Sequence, residues 1–279
     1  MSTMRNADGQ ELFCRIWRPN TEPKALIFLC HGFGEHSGAY IYDTFVSQEF
    51  LKDGYLVFAH DHIGHGQSSG DRVHIDHFVT YCRDVKQHVT EMKEKYPSLP
   101  VFTYGHSMGG LISLRTAMMY KDIFDGVILS SPAIIIGTDF LPRTKVFLAK
   151  AVSWLVPQLE IATVDGTLMT RDEEVLNKGA SDKLNWSGGV KAKWTTCILD
   201  SIDFVLDNAN MIDFPLLVLN GDADKICDVS GAQLIYDKSN SPDKQLKVYP
   251  GYFHELHSEP GDDRIVVMND VRQWITERL

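Results

Sequence analysis

The pentapeptide Gly105-His106-Ser107-Met108-Gly109 constrains this chain more than any other feature, because it stands where a short apolar run (VFTYG) meets a helical one (MGGLISLRTAMMY). Glycine two residues to either side of a serine suits a sharp turn from strand to helix, where a Cβ would collide with neighbouring backbone. A strand that feeds a helix and returns needs a mainly parallel sheet with crossover helices, an α/β architecture. The rest of the chain keeps that rhythm. Candidate strands are Glu11–Arg18, Ala25–His31, Tyr55–His60, Val101–Tyr104, Gly126–Ser130, Pro215–Asn220 and Leu246–Tyr249, punctuated at Pro23, Gly54, Pro100, Gly126 and Pro215. His74–Tyr96 carries Phe78, Tyr81, Val85, Val89 and Met92 at helical spacing, and Asp263–Leu279 carries Ile265, Met268, Val271 and Ile275 likewise.

One connection is too long for a plain crossover. About eighty residues separate the strand ending near Ser131 from the one starting at Pro215, where a dozen or more suffice. We therefore expect a single domain over residues 1–279 with a helical cap inserted at about 133–210. A length of 279 residues and a hydrophobic content of 44% allow one large core. The net charge of −10, with no cluster of Lys or Arg, argues against nucleic acid as a partner. Five scattered cysteines without a CxxC pair suggest reduced thiols and a cytoplasmic setting. The first residues lack the pattern of a secretory signal, and no apolar run reaches the roughly 20 residues of a span. The expectation is a soluble protein or one peripheral to membranes.

A serine is a weak nucleophile near neutral pH and needs a base, itself oriented by a third group. On a strand–turn–helix elbow the acid and then the histidine follow in chain order, after later strands. Gly221-Asp222-Ala223-Asp224 offers two carboxylates with Asp228 beyond, and the loop after Tyr249 offers His254 and His257. Asp224 and His254 lie far enough past their strands to swing back over Ser107, whereas Asp222 reads as a turn cap. The position argument leaves both pairs open. The helix after Ser107 points the Met108 amide at a developing oxyanion, and the loop His31-Gly32-Phe33-Gly34 offers the Phe33 amide as a second donor.

The stretches NADGQELFCRIWRP, HGFGEHSGAY, FAHDHIGHGQSSG, GHSMGG, GDADKICD and YPGYFHELHSE closely resemble those of monoglyceride lipases, enzymes of the α/β-hydrolase fold. They run in order from about Asn6 to the C-terminal helix. The resemblance implies hydrolysis of monoacylglycerol to fatty acid and glycerol, without a cofactor. Carried over residue by residue, it places the nucleophile on Ser107, the acid on Asp224, the base on His254 and the oxyanion amides on Phe33 and Met108. It lines the polar glycerol end with Glu35 and His106. Three positions depart from the family pattern: Ala39 replaces an arginine, Phe33 an alanine, and Gly179 lies where a tyrosine would approach the glycerol. Fewer fixed donors imply slack head-group selectivity.

Other features admit different readings. His60, His62 and His65 fall one residue short of a binuclear metal motif, with Gly64 where its aspartate would be, so a metal-dependent hydrolase is the reading from another class. With no metal, Asp61 and these histidines brace the loop beneath the site. Val146–Val156, with Phe140, Leu141, Phe147 and Trp154 nearby, suits either a cap helix packed on the core or a surface for peripheral membrane contact and lipid entry. Cys227, three residues past Asp224, is either a small buried hydrophobe or a regulatory thiol. The remaining readings are a lysophospholipase, a broad carboxylesterase, and a non-catalytic lipid-binding module.

Overall fold

The computed structural model describes residues 2–137 and 143–279. Ten strands occur among them: β1 (Ser2–Arg5), β2 (Glu11–Trp17), β3 (Ala25–Cys30), β4 (Tyr55–His60), β5 (Val101–His106), β6 (Gly126–Ser130), β7 (Glu160–Ala162), β8 (Val190–Lys191), β9 (Leu216–Gly221) and β10 (Lys244–Tyr249). Eight form one sheet in the order β1-β2-β4-β3-β5-β6-β9-β10. β1 and β2 join antiparallel and the rest run parallel.

Strands β3, β4, β5, β6 and β9 are buried along their whole length, which explains why they read as continuous apolar runs without alternation. Period-2 geometry still divides them. Leu26, Phe28 and Cys30 join the core on one face, while Ala25, Ile27 and Leu29 join the core on the other. The first face is covered by helices α2 (Val79–Lys95) and α3 (Met108–Met119), the second by α1 (Ser47–Lys52) and α8 (Asp263–Thr276). Tyr81, Cys82, Val85, Val89 and Met92 of α2 and Val267, Met268, Val271 and Trp274 of α8 fill them at the expected spacing.

Two helices differ from the sequence reading. α2 begins at Val79, not His74, because Val73 turns the chain with φ of 44° and Ile75 enters the core from a loop. The Val146–Val156 stretch is helical only to Val152, within α4 (Arg143–Val152). Pro157 bars its continuation, and Trp154, Leu155 and Val156 stand exposed. Phe140 and Leu141 lie outside the described residues. Between β6 and β9 the chain also carries α5 (Glu173–Ser181), α6 (Ala192–Asp207) and the antiparallel β7–β8 pair, and α7 (Val229–Lys238) joins β9 to β10. Among the described residues no helix is long and apolar enough to cross a membrane.

Candidate active site

Ser107 sits between β5 and α3 with φ of 54° and ψ of −119°, a conformation that costs a side-chain-bearing residue about 1–3 kcal/mol. Its surroundings hold it there. The Ser107 amide donates to Ser130 O (3.0 Å), and the Ser107 carbonyl accepts from Ala133 (3.1 Å) and Leu111 (3.2 Å). A Cβ on Gly105 would lie 2.5 Å from Gly109 O, and one on Gly109 would lie inside the Cys30 and His31 carbonyls. The two glycines are thus required by close backbone approach.

The loops after β9 and β10 converge on this serine. Ser107 Oγ donates to His254 Nε2 (2.9 Å), and His254 Nδ1 donates to Asp224 Oδ2 (2.8 Å). Asp224 Oδ1 accepts from the amides of Ile226 (2.8 Å) and Cys227 (2.9 Å), so both carboxylate oxygens are fixed. Burial disfavours a charged His254, but the Asp224 carboxylate outweighs it and raises the imidazole pKa above its ordinary value. Asp222 and His257 go elsewhere. Asp222 accepts from the Gly251 amide (2.6 Å) and ties the two loops together. His257 is buried, bonds the Tyr104 hydroxyl (3.1 Å) and stacks on Tyr42 at 5.1 Å.

Phe33 and Met108 line one cavity together with Ser107, and the Phe33 ring packs on Trp194 at 4.2 Å. Two cavities open beside the serine. The larger, about 540 Å³, is bounded by Glu35, His106, Tyr40, Asn185 and Glu255. The smaller, about 50 Å³, is apolar, with Met108, Ile136, Trp194, Ile198 and Cys227 in its wall. Cys227 behaves as a buried hydrophobe: burial, then the Asp224 charge, push its thiol well above the ordinary range, which opposes thiolate chemistry.

Glu35 Oε1 accepts from Tyr42 OH (2.7 Å) and from the Gly32 amide. Burial and the neighbouring Glu255 charge push the Glu35 carboxyl up to about 8. His106 Nδ1 donates to Ser130 O (3.3 Å), its Nε2 is buried without a partner, and burial keeps it neutral. Ala39 lines the same cavity and is buried. Sequence reasoning missed Glu255 and Asn185. Glu255 follows His254 directly and could have been suspected from that adjacency alone; Asn185 carries no local signal.

The histidines of the HDHIGH segment pack among themselves and with His31, His88 and Tyr81. His60 Nδ1 lies 3.2 Å from His88 Nδ1, His62 Nε2 3.2 Å from His31 O, and His65 Nδ1 3.1 Å from Ile63 O. Among the described residues no group of His, Cys, Asp or Glu is placed to hold a metal ion. Asp61 accepts from the Ser37 amide (2.9 Å) and the Gln67 amide (2.8 Å), joining the loops after β3 and β4.

The sheet order and the serine elbow define a serine ester hydrolase of the α/β-hydrolase fold. A family model described as "Serine aminopeptidase, S33" matches residues 21–261. The monoglyceride lipase of Rattus norvegicus is 39% identical over 98% of this chain and 89% of its own length. A monoglyceride lipase homolog from Monkeypox virus is 37% identical over the full length of both. The solved monoglyceride lipase of Saccharomyces cerevisiae, bound to a substrate analog, superposes with a TM-score of 0.88 at 25% identity, over 99% of this chain and 94% of that one. The chain belongs to the monoglyceride lipase family.

Proposed function

We propose that this chain hydrolyses monoacylglycerols to fatty acid and glycerol through an acyl-enzyme on Ser107. The observation that carries this reading is the unbroken Ser107–His254–Asp224 hydrogen-bond chain at the junction of two cavities, one with Glu35, His106, Asn185 and Glu255 in an otherwise largely apolar wall and the other apolar. Ser107 Oγ attacks the ester carbonyl as His254 Nε2 takes its proton. Asp224 holds the imidazole tautomer and stabilises the imidazolium. The Phe33 and Met108 amides receive the oxyanion, usually the largest single contribution to such catalysis. His254 returns the proton to the leaving glycerol oxygen, and water repeats the cycle to free the acid. Glu35 and His106 accept hydrogen bonds from the glycerol hydroxyls. We further read residues of about 133–210 as a cap over a single catalytic domain.

A fluorophosphonate probe is expected to label Ser107 and to abolish glycerol release from monoacylglycerol, with chelators without effect. Labelled enzyme that still releases glycerol would refute the assignment. Since the neutral imidazole is the base, kcat/KM should rise with pH through the raised His254 pKa, above the ordinary histidine value of about 6.5. A profile flat from pH 5 to 8, with chemistry limiting, would contradict a histidine base.

We also propose peripheral membrane contact through α4 and the residues after it. Phe147, Trp154, Leu155 and Val156 expose 76%, 87%, 71% and 49% of their surface, a large share for aromatic and aliphatic side chains side by side in sequence. All five cysteines are unpaired and buried, which supports a cytoplasmic setting. Trp154→Ser with Leu155→Ser should weaken binding to phosphatidylcholine vesicles by about tenfold or more, given the apolar area involved. Unchanged vesicle binding would remove this surface from consideration.

A further inference from the structure

We propose that Glu255 sets head-group selectivity, making the larger cavity a chamber for hydroxylated, uncharged alcohols that rejects esters carrying a phosphoryl group. This rests on the hydrolysis of acylglycerols proposed above and asks which head groups that same site admits.

The argument is an inventory of donors and acceptors. His106, in the chamber wall, donates through Nδ1 to Ser130 O, which leaves its buried Nε2 as an unpartnered acceptor. Asn185 donates its Nδ2 to Gly179 O (3.0 Å), which leaves its buried Oδ1 without a partner as a second acceptor. Glu35 and Glu255 add carboxyls to the wall, and burial together with the Glu255 charge holds the Glu35 carboxyl up at about 8, so Glu255 is the member of the pair that carries the charge. A glycerol head group brings two hydroxyl donors to this array and satisfies it. A phosphate monoester brings mainly acceptors and negative charge, and so leaves buried acceptors unpaired while adding like-charge repulsion. Lys178 is the cation on the chamber wall, but it is exposed, with its ammonium 5.4 Å from the Tyr40 ring at the rim.

Glu255 is well held for this role. Its amide donates to Met169 O (2.7 Å), which fixes the backbone independently of the carboxyl, so Glu255→Gln should keep the loop while removing the charge. The measurement is kcat/KM for a monoacylglycerol and for the lysophosphatidate with the same acyl chain, in wild type and Glu255→Gln, at low and high salt. Fluorophosphonate labelling of both proteins reports an intact nucleophile. The lysophosphatidate-to-monoacylglycerol ratio is expected to rise about tenfold or more in the variant, a modest part of what like charges cost each other in a partly dry site. In wild type the same ratio should rise with salt, through screening. A ratio unchanged by the substitution, or a wild-type ratio that falls with salt as Lys178 capture would give, overturns the role of Glu255. A wild type that labels but hydrolyses neither ester overturns the acylglycerol reading instead.

Discussion

Ser107→Ala is expected to lower kcat by about 10⁶ while the fold survives, as for other nucleophile–base–acid sets that act as a unit. Asp224→Asn should cost on the order of 10⁴, because an amide in place of Oδ2 favours the wrong tautomer of His254. Asp222→Asn is the control. Its carboxylate accepts one bond from Gly251 at an exposed position, and an asparagine oxygen can accept the same bond. We expect less than about a threefold change there. Steady-state kinetics on the three purified variants decide the matter, and an Asp222→Asn loss exceeding that of Asp224→Asn would reverse the assignment of the acid.

Stability should fall steeply on mild acidification. His31, His60, His62, His65, His88, His106 and His257 are buried, and burial lowers the pKa of each, to about 3 for His31, His65 and His257 and about 4 for His88. Above about pH 6.5 neither the folded nor the unfolded chain protonates them. Below it the unfolded chain takes up protons that the fold refuses, at about 1.4 kcal/mol per pH unit for each histidine. Three carboxyls act in the opposite sense: Glu35, pushed up to about 8, Asp84, pushed up to about 7, and Glu255. They are protonated in the fold before the unfolded chain is, so they add stability as pH drops towards about 4. His254, raised, contributes fully below pH 6.5 and adds no slope there. Seven histidines outweigh three carboxyls, so stability declines by several kcal/mol per pH unit between about pH 6.5 and 4. Urea midpoints measured from pH 7.5 to 5 test this. Midpoints constant over that range would mean that the cluster ionises within the fold. His60→Phe, beside Phe28 at 5.4 Å, should make the decline shallower.

Much of this molecule is legible in its sequence because the buried strands and amphipathic helices announce themselves over short windows. Every candidate strand occurs, Tyr55–His60 and Gly126–Ser130 with the expected bounds and the others with ends displaced by one or two residues. β1 escaped notice because only Met4 of its four residues is buried, leaving no alternation to detect. The two-residue β8 is too short for any pattern. The apolar stretch to Val156 read as one helix because periodicity does not reveal where a core stops offering cover. In the site, spacing alone did not separate Asp222 from Asp224 or His254 from His257, since each pair lies on one loop and only the fold's closure orients them. Glu255 and Asn185 line the same chamber although about 70 residues separate them in sequence. Ala39 and Gly179 suggested slack selectivity from the donors lost there, and Glu255 and Asn185 add polar groups to the same chamber that this count did not include.

The close approach of Gly109 to the Cys30 and His31 carbonyls has a consequence for how such a chain can diversify. It sets the start of α3 against the end of β3 by main chain alone, so the backbone on the two sides of Ser107 is held in close register. Drift at Ala39, Gly179, Asn185 or Glu255 then alters which alcohols are admitted while the attacking and charge-accepting groups stay aligned. Reactivity and choice of substrate are separately heritable in this architecture, and a lineage can explore the second without relinquishing the first.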